Sequence, residues 1–136
     1  MAAKEQAGGA LILVVERDPH IRELEQFFLN EAGFSVEFVD DGAVALVRAR
    51  AIRPQIIVTE ILIPKIDGLT LCRRLKGDPV TREIVVVVFS VLAAAQRCQE
   101  AGADAFLMKP LEEGRLVSTV RDLLALQAQR LGKETK

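Results

Sequence analysis

The 136-residue chain contains no tryptophan and no tyrosine, and its six aromatic residues are all phenylalanine. The core must therefore be aliphatic and alanine-rich, and the lack of aromatic platforms argues against a single-strand nucleic-acid binder. Histidine occurs once, at His20, too isolated for a metal site or a catalytic triad. Cysteine occurs twice, at Cys72 and Cys98. Two distant thiols make no disulfide framework, and both read as reduced, helix-packing residues of a cytoplasmic protein. No apolar run approaches the ~20 residues of a membrane helix. The longest, residues 84–89, is strand-sized, and residues 1–9 lack the apolar stretch of a signal peptide and read as a flexible tail. Neither sign of charge dominates: 18 Lys+Arg face 19 Asp+Glu, a net charge of −1. That balance argues against attraction to nucleic acid or to an anionic membrane as the basis of function. Arg48, Arg50 and Arg53, and then Arg73, Arg74 and Lys76, read as solvated helix faces. Gly8 and Gly9 precede the first apolar run instead of following it, so they form no phosphate-binding loop.

What is present is a chain that is 50% hydrophobic and of single-domain length, able to bury roughly 68% of its unfolded surface. Residues 10–15 form a continuous apolar run, suited to a strand covered on both faces. Asp18 and Pro19 then open a helix as cap and first-turn residue. Ile21, Leu24 and Phe28 fall on one face of it, with Phe27 beside them, and Gly33 stops it. The same alternation continues: strand 34–39, helix 43–52, strand 55–59, a helix from Asp67 and Gly68 carrying Leu69, Leu71, Cys72 and Leu75, and strand 84–89. It closes with an alanine-rich helix over 91–101, a short strand over 103–108 and a last helix from Glu112 to about Arg130, with Leu116, Val120, Leu123 and Leu124 inward. Residues 131–136 read as a tail or a linker stub.

Five strand–helix repeats with buried apolar strands predict an α/β fold, a doubly wound parallel sheet of five strands in one domain over 10–130. Sites in open sheets of this kind lie past the carboxyl ends of the strands. The residues there are Glu16 and Arg17, Asp40 and Asp41, Glu60, Ser90 and Lys109.

Four segments at these ends carry a resemblance. They are residues 14–19 (VVERDP), residues 60–68 (EILIPKIDG), Ser90 after the fourth strand, and residues 102–110 (GADAFLMKP). In this order they resemble the response-regulator receiver domain, the CheY-like phosphoacceptor module of two-component signalling. The resemblance covers about residues 10–128. It implies a flavodoxin-like (βα)5 fold with strand order 2-1-3-4-5 and a cis bond before Pro110. In the family an aspartate is phosphorylated with the help of Mg²⁺ held by an acidic pair, a lysine and a Ser/Thr hydroxyl contact the phosphate, and an aromatic residue on the fifth strand follows inward.

The resemblance places Glu60 at the phosphoacceptor position, Glu16 and Arg17 at the acidic pair, and Ser90, Phe106 and Lys109 among the phosphate-responding residues. Pro64, Gly68 and Pro110 fall at structural positions. Two departures bear on function. Glu60 carries one more methylene than aspartate, moving its carboxylate by ~1.5 Å, and a misplacement of about 1 Å costs on the order of 100-fold in an in-line reaction. Arg17 removes one metal-ligand position and adds a permanent cation. The implied reading is an atypical receiver, not an enzyme, without a metal or catalytic residue of its own and with Mg²⁺ binding lost or weak. In it Arg17 takes the metal's place and pairs with Glu60 or Glu16, while Glu60 reaches toward Lys109 in imitation of a phosphorylated aspartate. Asp18 caps the helix and does not replace the lost ligand.

An inert salt-bridge cluster at a decayed site stands beside that reading, and Phe106 reads more as core filler than as a moving switch. The spacing from Ser90 to Gly102 is shorter than the family's, and residues 91–95 are unusually apolar. This alters the face formed by the fourth helix, fifth strand and fifth helix, where a histidine kinase, a downstream target or a second copy would bind. Two other functions stay open: a conventional phosphoacceptor that tolerates Glu60 and Arg17, and a flavodoxin-like nucleotide binder or enzyme. An output domain is not visible, so the chain acts alone or is part of a longer protein.

Overall fold

The computed structural model describes residues 9–110, 112 and 114–134; the tail expected over 1–9 lies outside them except for Gly9. The elements run β1 (Leu11–Val15), α1 (Pro19–Glu31), β2 (Ser35–Val39), α2 (Gly42–Ile52), β3 (Ile56–Thr59), α3 (Gly68–Gly77), β4 (Val85–Ser90), α4 (Ala95–Glu100), β5 (Ala105–Met108) and α5 (Arg115–Glu134). All strand pairs are parallel, in the order β2-β1-β3-β4-β5. The expected architecture and strand order are therefore present.

The strands read as unbroken apolar runs because both faces are covered. Alternation along each strand divides the core in two. Leu13, Val15, Ile57, Val86 and Val88 point to one side, where Ala45 and Ala49 of α2, Leu71, Cys72 and Leu75 of α3, and Cys98 of α4 meet them. Ile12, Val14, Ile56, Val58, Val85, Val87 and Phe89 point to the other, against Leu29 of α1 and Leu116 and Val120 of α5. Leu123 and Leu124 pack at the edge of this second layer, as expected.

Side-chain caps start the first three helices. Asp18 accepts from the His20 amide at 2.9 Å, Asp41 from Val44 at 2.7 Å and Asp67 from Thr70 at 2.9 Å. Gly68 lets α3 begin directly against β3. A Cβ there would lie 2.3 Å from the Glu60 carbonyl oxygen, a distance no side chain tolerates.

Four expectations shift. Helix α1 is rolled so that Leu24 and Phe27 face outward, Phe27 being 59% exposed, while Glu25 and Leu29 are buried. Its roll is set by Leu29 and by the closure after it, in which the Gly33 amide bonds to Asn30 and the Phe34 amide to Leu29. One turn back from Leu29 lies Glu25. Helix α4 spans only Ala95–Glu100 where residues 91–101 were expected, because Ala94 supplies no side-chain cap. The amides before it are drawn toward the strand end, Leu92 donating to the Ser90 hydroxyl at 3.1 Å. Strand β5 starts two residues late because Ala103 closes α4 by donating to Cys98 O at 3.0 Å. Helix α5 begins at Arg115, after Gly114 at φ 81°, and runs on to Glu134, past the expected Arg130.

Candidate functional site

The carboxyl ends of β1, β3, β4 and β5 bring Glu16, Glu60, Ser90 and Lys109 into one buried cluster. Register explains the meeting: Val15 pairs with Thr59, Thr59 with Val88, and Ser90 with Met108. Glu16 and Glu60 therefore follow one pair, Ser90 stands two residues past Val88, and Lys109 follows Met108, so all four lie at the carboxyl edge of the sheet. The Lys109 ammonium lies 2.7 Å from Glu16 Oε1 and 2.9 Å from Glu60 Oε2, and all three side chains are buried. It also stands 5.4 Å from the centre of the Phe89 ring, within range of a cation–π attraction.

Glu60 gathers most of the donors in the cluster. Its Oε1 accepts from the Ile61 amide at 2.6 Å, the Leu62 amide at 3.2 Å and the Ser90 hydroxyl. Its Oε2 accepts from Lys109 and, at 3.4 Å, from the Val91 amide. Burial pushes the Glu60 carboxyl up, but the Ser90 hydroxyl, Lys109 and the Leu62 amide outweigh it and hold it below the ordinary range. Burial pushes the Lys109 ammonium down, and its hydrogen bonds to Glu16 and Glu60 outweigh that, so it stays charged well into the alkaline range. Glu16 is fixed a second time, Oε2 accepting from the Asp18 amide at 3.1 Å.

Arg17 departs from expectation. It is exposed and, among the described residues, forms no ion pair with Glu16 or Glu60. The physical reason is that Lys109 already binds both carboxylates, and a guanidinium would lose its hydration to join them. Asp18, as expected, caps α1.

The remaining residues fall around the cluster. The Pro64 carbonyl accepts from Gly42 at 3.0 Å and from Ile66 at 2.9 Å, bracing the loop after β3. The peptide bond between Lys109 and Pro110 is cis. Phe106 is half-buried and packs against the core layer beneath α2, α3 and α4. Glu16 and Glu60 are both turned to Lys109, and among the described residues no three His, Cys, Asp or Glu are grouped so that they could hold a metal ion.

One member of the neighbourhood escapes a reading by apolar periodicity. Glu25 on α1 is 1% exposed, and its Oε1 has no hydrogen-bond partner. Burial pushes its carboxyl up from 4.5 to about 8, with Glu16 and Glu60 adding to the rise and Lys109 and Arg22 opposing it. The signal was available: position 25 lies four residues after Ile21 and four before Leu29, on the inward ridge.

Comparison with known proteins identifies the family. The response regulator receiver domain matches residues 12–121. The chain belongs to that family. The receiver is 34% identical over 116 residues to the DNA-binding dual master transcriptional regulator RpaA of a Synechocystis strain, covering 83% of this chain and 48% of that protein. It is 40% identical over 118 residues to the response regulator PleD of Caulobacter vibrioides, covering 84% of this chain and 26% of that one. Among solved structures, the signal receiver domain of a histidine kinase from Syntrophus aciditrophicus superposes with a TM-score of 0.79 at 37% identity, covering 85% of this chain and 90% of that one. The receiver thus spans about half or less of the length of these two regulators. As a receiver it is a two-component signalling module, and response regulators interact with histidine kinases and downstream effectors. Among the described residues no helix is long and apolar enough to cross a membrane.

Proposed function

We propose that this receiver is an atypical, phosphate-independent signalling module of the cytoplasm. In it the Glu60 carboxylate stands in for a phosphorylated aspartate. One observation carries the reading: Glu60 already accepts from the Ser90 hydroxyl, the Lys109 ammonium and the amides of Ile61, Leu62 and Val91. A phosphoryl group placed there would need those same donors, since an anion at a buried strand end is stabilised by charge-assisted hydrogen bonds. A carboxylate so saturated is also a poor nucleophile, because its lone pairs are engaged and its proton affinity is low.

The reading extends to the output face. With Ser90 drawn to Glu60 and Phe106 packed on the core, one conformation of α4, β5 and α5 is favoured without phosphate. Val91 is 55% and Met108 49% exposed at this face. Apolar side chains in the open suit a protein partner, whether a histidine kinase, a downstream target or a second copy.

Incubation with acetyl phosphate and Mg²⁺, followed by intact mass measurement, tests the reading. The mass is expected to stay unchanged. An adduct of about 80 Da, one phosphoryl group, mapped to Glu60 would overturn it and restore the conventional phosphoacceptor. The double change Arg17→Asp with Glu60→Asp is expected to gain that adduct.

A further inference from the structure

Helix α1 reverses the usual sorting of side chains. It buries Glu25 at 1% exposure and leaves Phe27 59% and Leu24 45% exposed. A lone chain gains nothing from this, since burying a carboxyl costs free energy and exposing two large apolar groups forfeits it. Leu29 and the turn after it fix the roll, so the exposed side is built into the fold. Phe27 is also held in place, its ring meeting the Phe28 ring edge-on with centroids 5.4 Å apart.

The outer face has a pattern of its own. His20, Leu24, Phe27 and Glu31 are all exposed and follow one another at intervals of four, three and four residues. At about 3.6 residues per turn they fall within roughly 60° of arc. This is the spacing of a coiled-coil seam. His20, Glu23, Leu24 and Phe27 line one open groove along it. The seam is also its own complement when reversed. Leu24 and Phe27 stand equally far from the midpoint of the stretch, and so do His20 and Glu31. Laid antiparallel on a second α1, each Leu24 meets a Phe27 and each His20 meets a Glu31. The end pairs join a donor to a carboxylate, because imidazole carries an N–H in either protonation state. Among the described residues neither His20 nor Glu31 has an ion pair within the chain. A parallel pairing would set His20 against His20 and Glu31 against Glu31, so the charge pattern selects the antiparallel one.

We infer that the outer face of α1 is a self-association surface, on which a second copy of this chain docks its own α1 antiparallel, about a two-fold axis level with the step between Glu25 and Gln26. The contact uses the same patch on both copies and closes on a pair. One seam, roughly 16 Å long, makes a small interface, so the association is weak and concentration-dependent. Helix α1 leans on the β2 edge of the sheet, Arg22 lying over the Phe38 ring at 5.1 Å, whereas Val91 and Met108 belong to the β4–β5 side. The pair therefore leaves the output face free, and the inference does not depend on how that face is switched.

Sedimentation equilibrium of the intact chain between about 10 µM and about 1 mM, with amide NMR on dilution, tests it. The expected result is a mass rising from one chain toward two and no further, with dilution shifts at residues 20, 24, 27 and 31 and none at Val91 or Met108. Phe27→Asp, at an exposed position, is expected to weaken the pair by about 10-fold or more. His20→Glu sets two carboxylates opposite each other, and Glu31→Lys sets two donors opposite each other. Each alone is expected to weaken the pair, and the two together to restore it, since the exchanged charges again face their opposites. Both changes suit the helix macrodipole, an acid in the first turn and a base in the last, so α1 keeps its fold. A chain that stays single throughout, a pair indifferent to Phe27→Asp, a double exchange as weak as its single members, or dilution shifts confined to Val91 and Met108 would overturn the inference.

Discussion

The two ends of the parallel sheet are held together by different chemistry. At the amino ends, neutral amides brace the backbone. Gln55 accepts from the Leu11 amide at 2.8 Å, and Gln127 on α5 donates to the Gln55 and Glu83 carbonyls at 3.2 and 3.0 Å. The ion pairs there, Lys76 with Asp104 and Arg130 with Glu83, are partly or largely exposed. At the carboxyl ends, Lys109 holds Glu16 and Glu60 out of water, and on α1 the buried Glu25 Oε1 has no hydrogen-bond partner. A fold gains little from burying charges where amides would serve, because desolvation offsets most of the attraction. On the proposed reading, the carboxyl end is the working end and the amino end is scaffold.

Removing Lys109 should have the largest effect. Lys109→Met leaves Glu16 and Glu60 buried without their cation, and a loss of about 3–5 kcal/mol in chemical denaturation is expected. A variant as stable as the parent would mean that the clamp contributes nothing.

Glu25 should act in the opposite direction. Its folded-state value, about 8, lies above the 4.5 of the unfolded chain. The folded state therefore binds the proton more tightly. The stability this confers is complete below about pH 4.5 and is lost as the pH rises through about 8. Glu25→Leu is expected to remove that slope and to stabilise the protein by on the order of 2 kcal/mol or more at neutral pH. Denaturant midpoints across this range check both the slope and its sign.

At the scaffold end the effects should be smaller and independent of pH. Gln127→Leu strands the carbonyls of Gln55 and Glu83, at a cost of about 1–2 kcal/mol, with no change in the Val91 and Leu92 amides. The smallest change concerns the loop after β3, where Lys65 holds φ 74°. Lys65→Gly relieves the left-handed strain and should raise stability by up to about 1 kcal/mol, read as a small rise in melting temperature.

The sequence made the sheet legible because its signals were local and redundant. Residues 84–89 form an apolar run that suits only a strand covered on both faces, and Asp18, Asp41 and Asp67 each stand where a cap is needed. The strand-end cluster was legible as a set of positions, since parallel register carries Glu16, Glu60, Ser90 and Lys109 to one place. Partner choice within it was not. Which cation binds the carboxylates depends on side-chain direction past the strand, and Lys109 rather than Arg17 lies inward. The roll of α1 was equally hidden. Apolar periodicity points Leu24 inward and gives no place to Glu25, whereas the packing is set by Leu29 and the turn after it.

If the Glu60 carboxylate holds the switch segment in place of phosphate, removing it should move that whole segment. Amide NMR of the intact chain against Glu60→Ala tests it most directly. Leu62, Val91, Leu92 and Lys109 are expected to shift together, and the Phe106 ring resonances to change with them. Shifts confined to residues 59–62, with Val91, Leu92 and Phe106 unmoved, would contradict it.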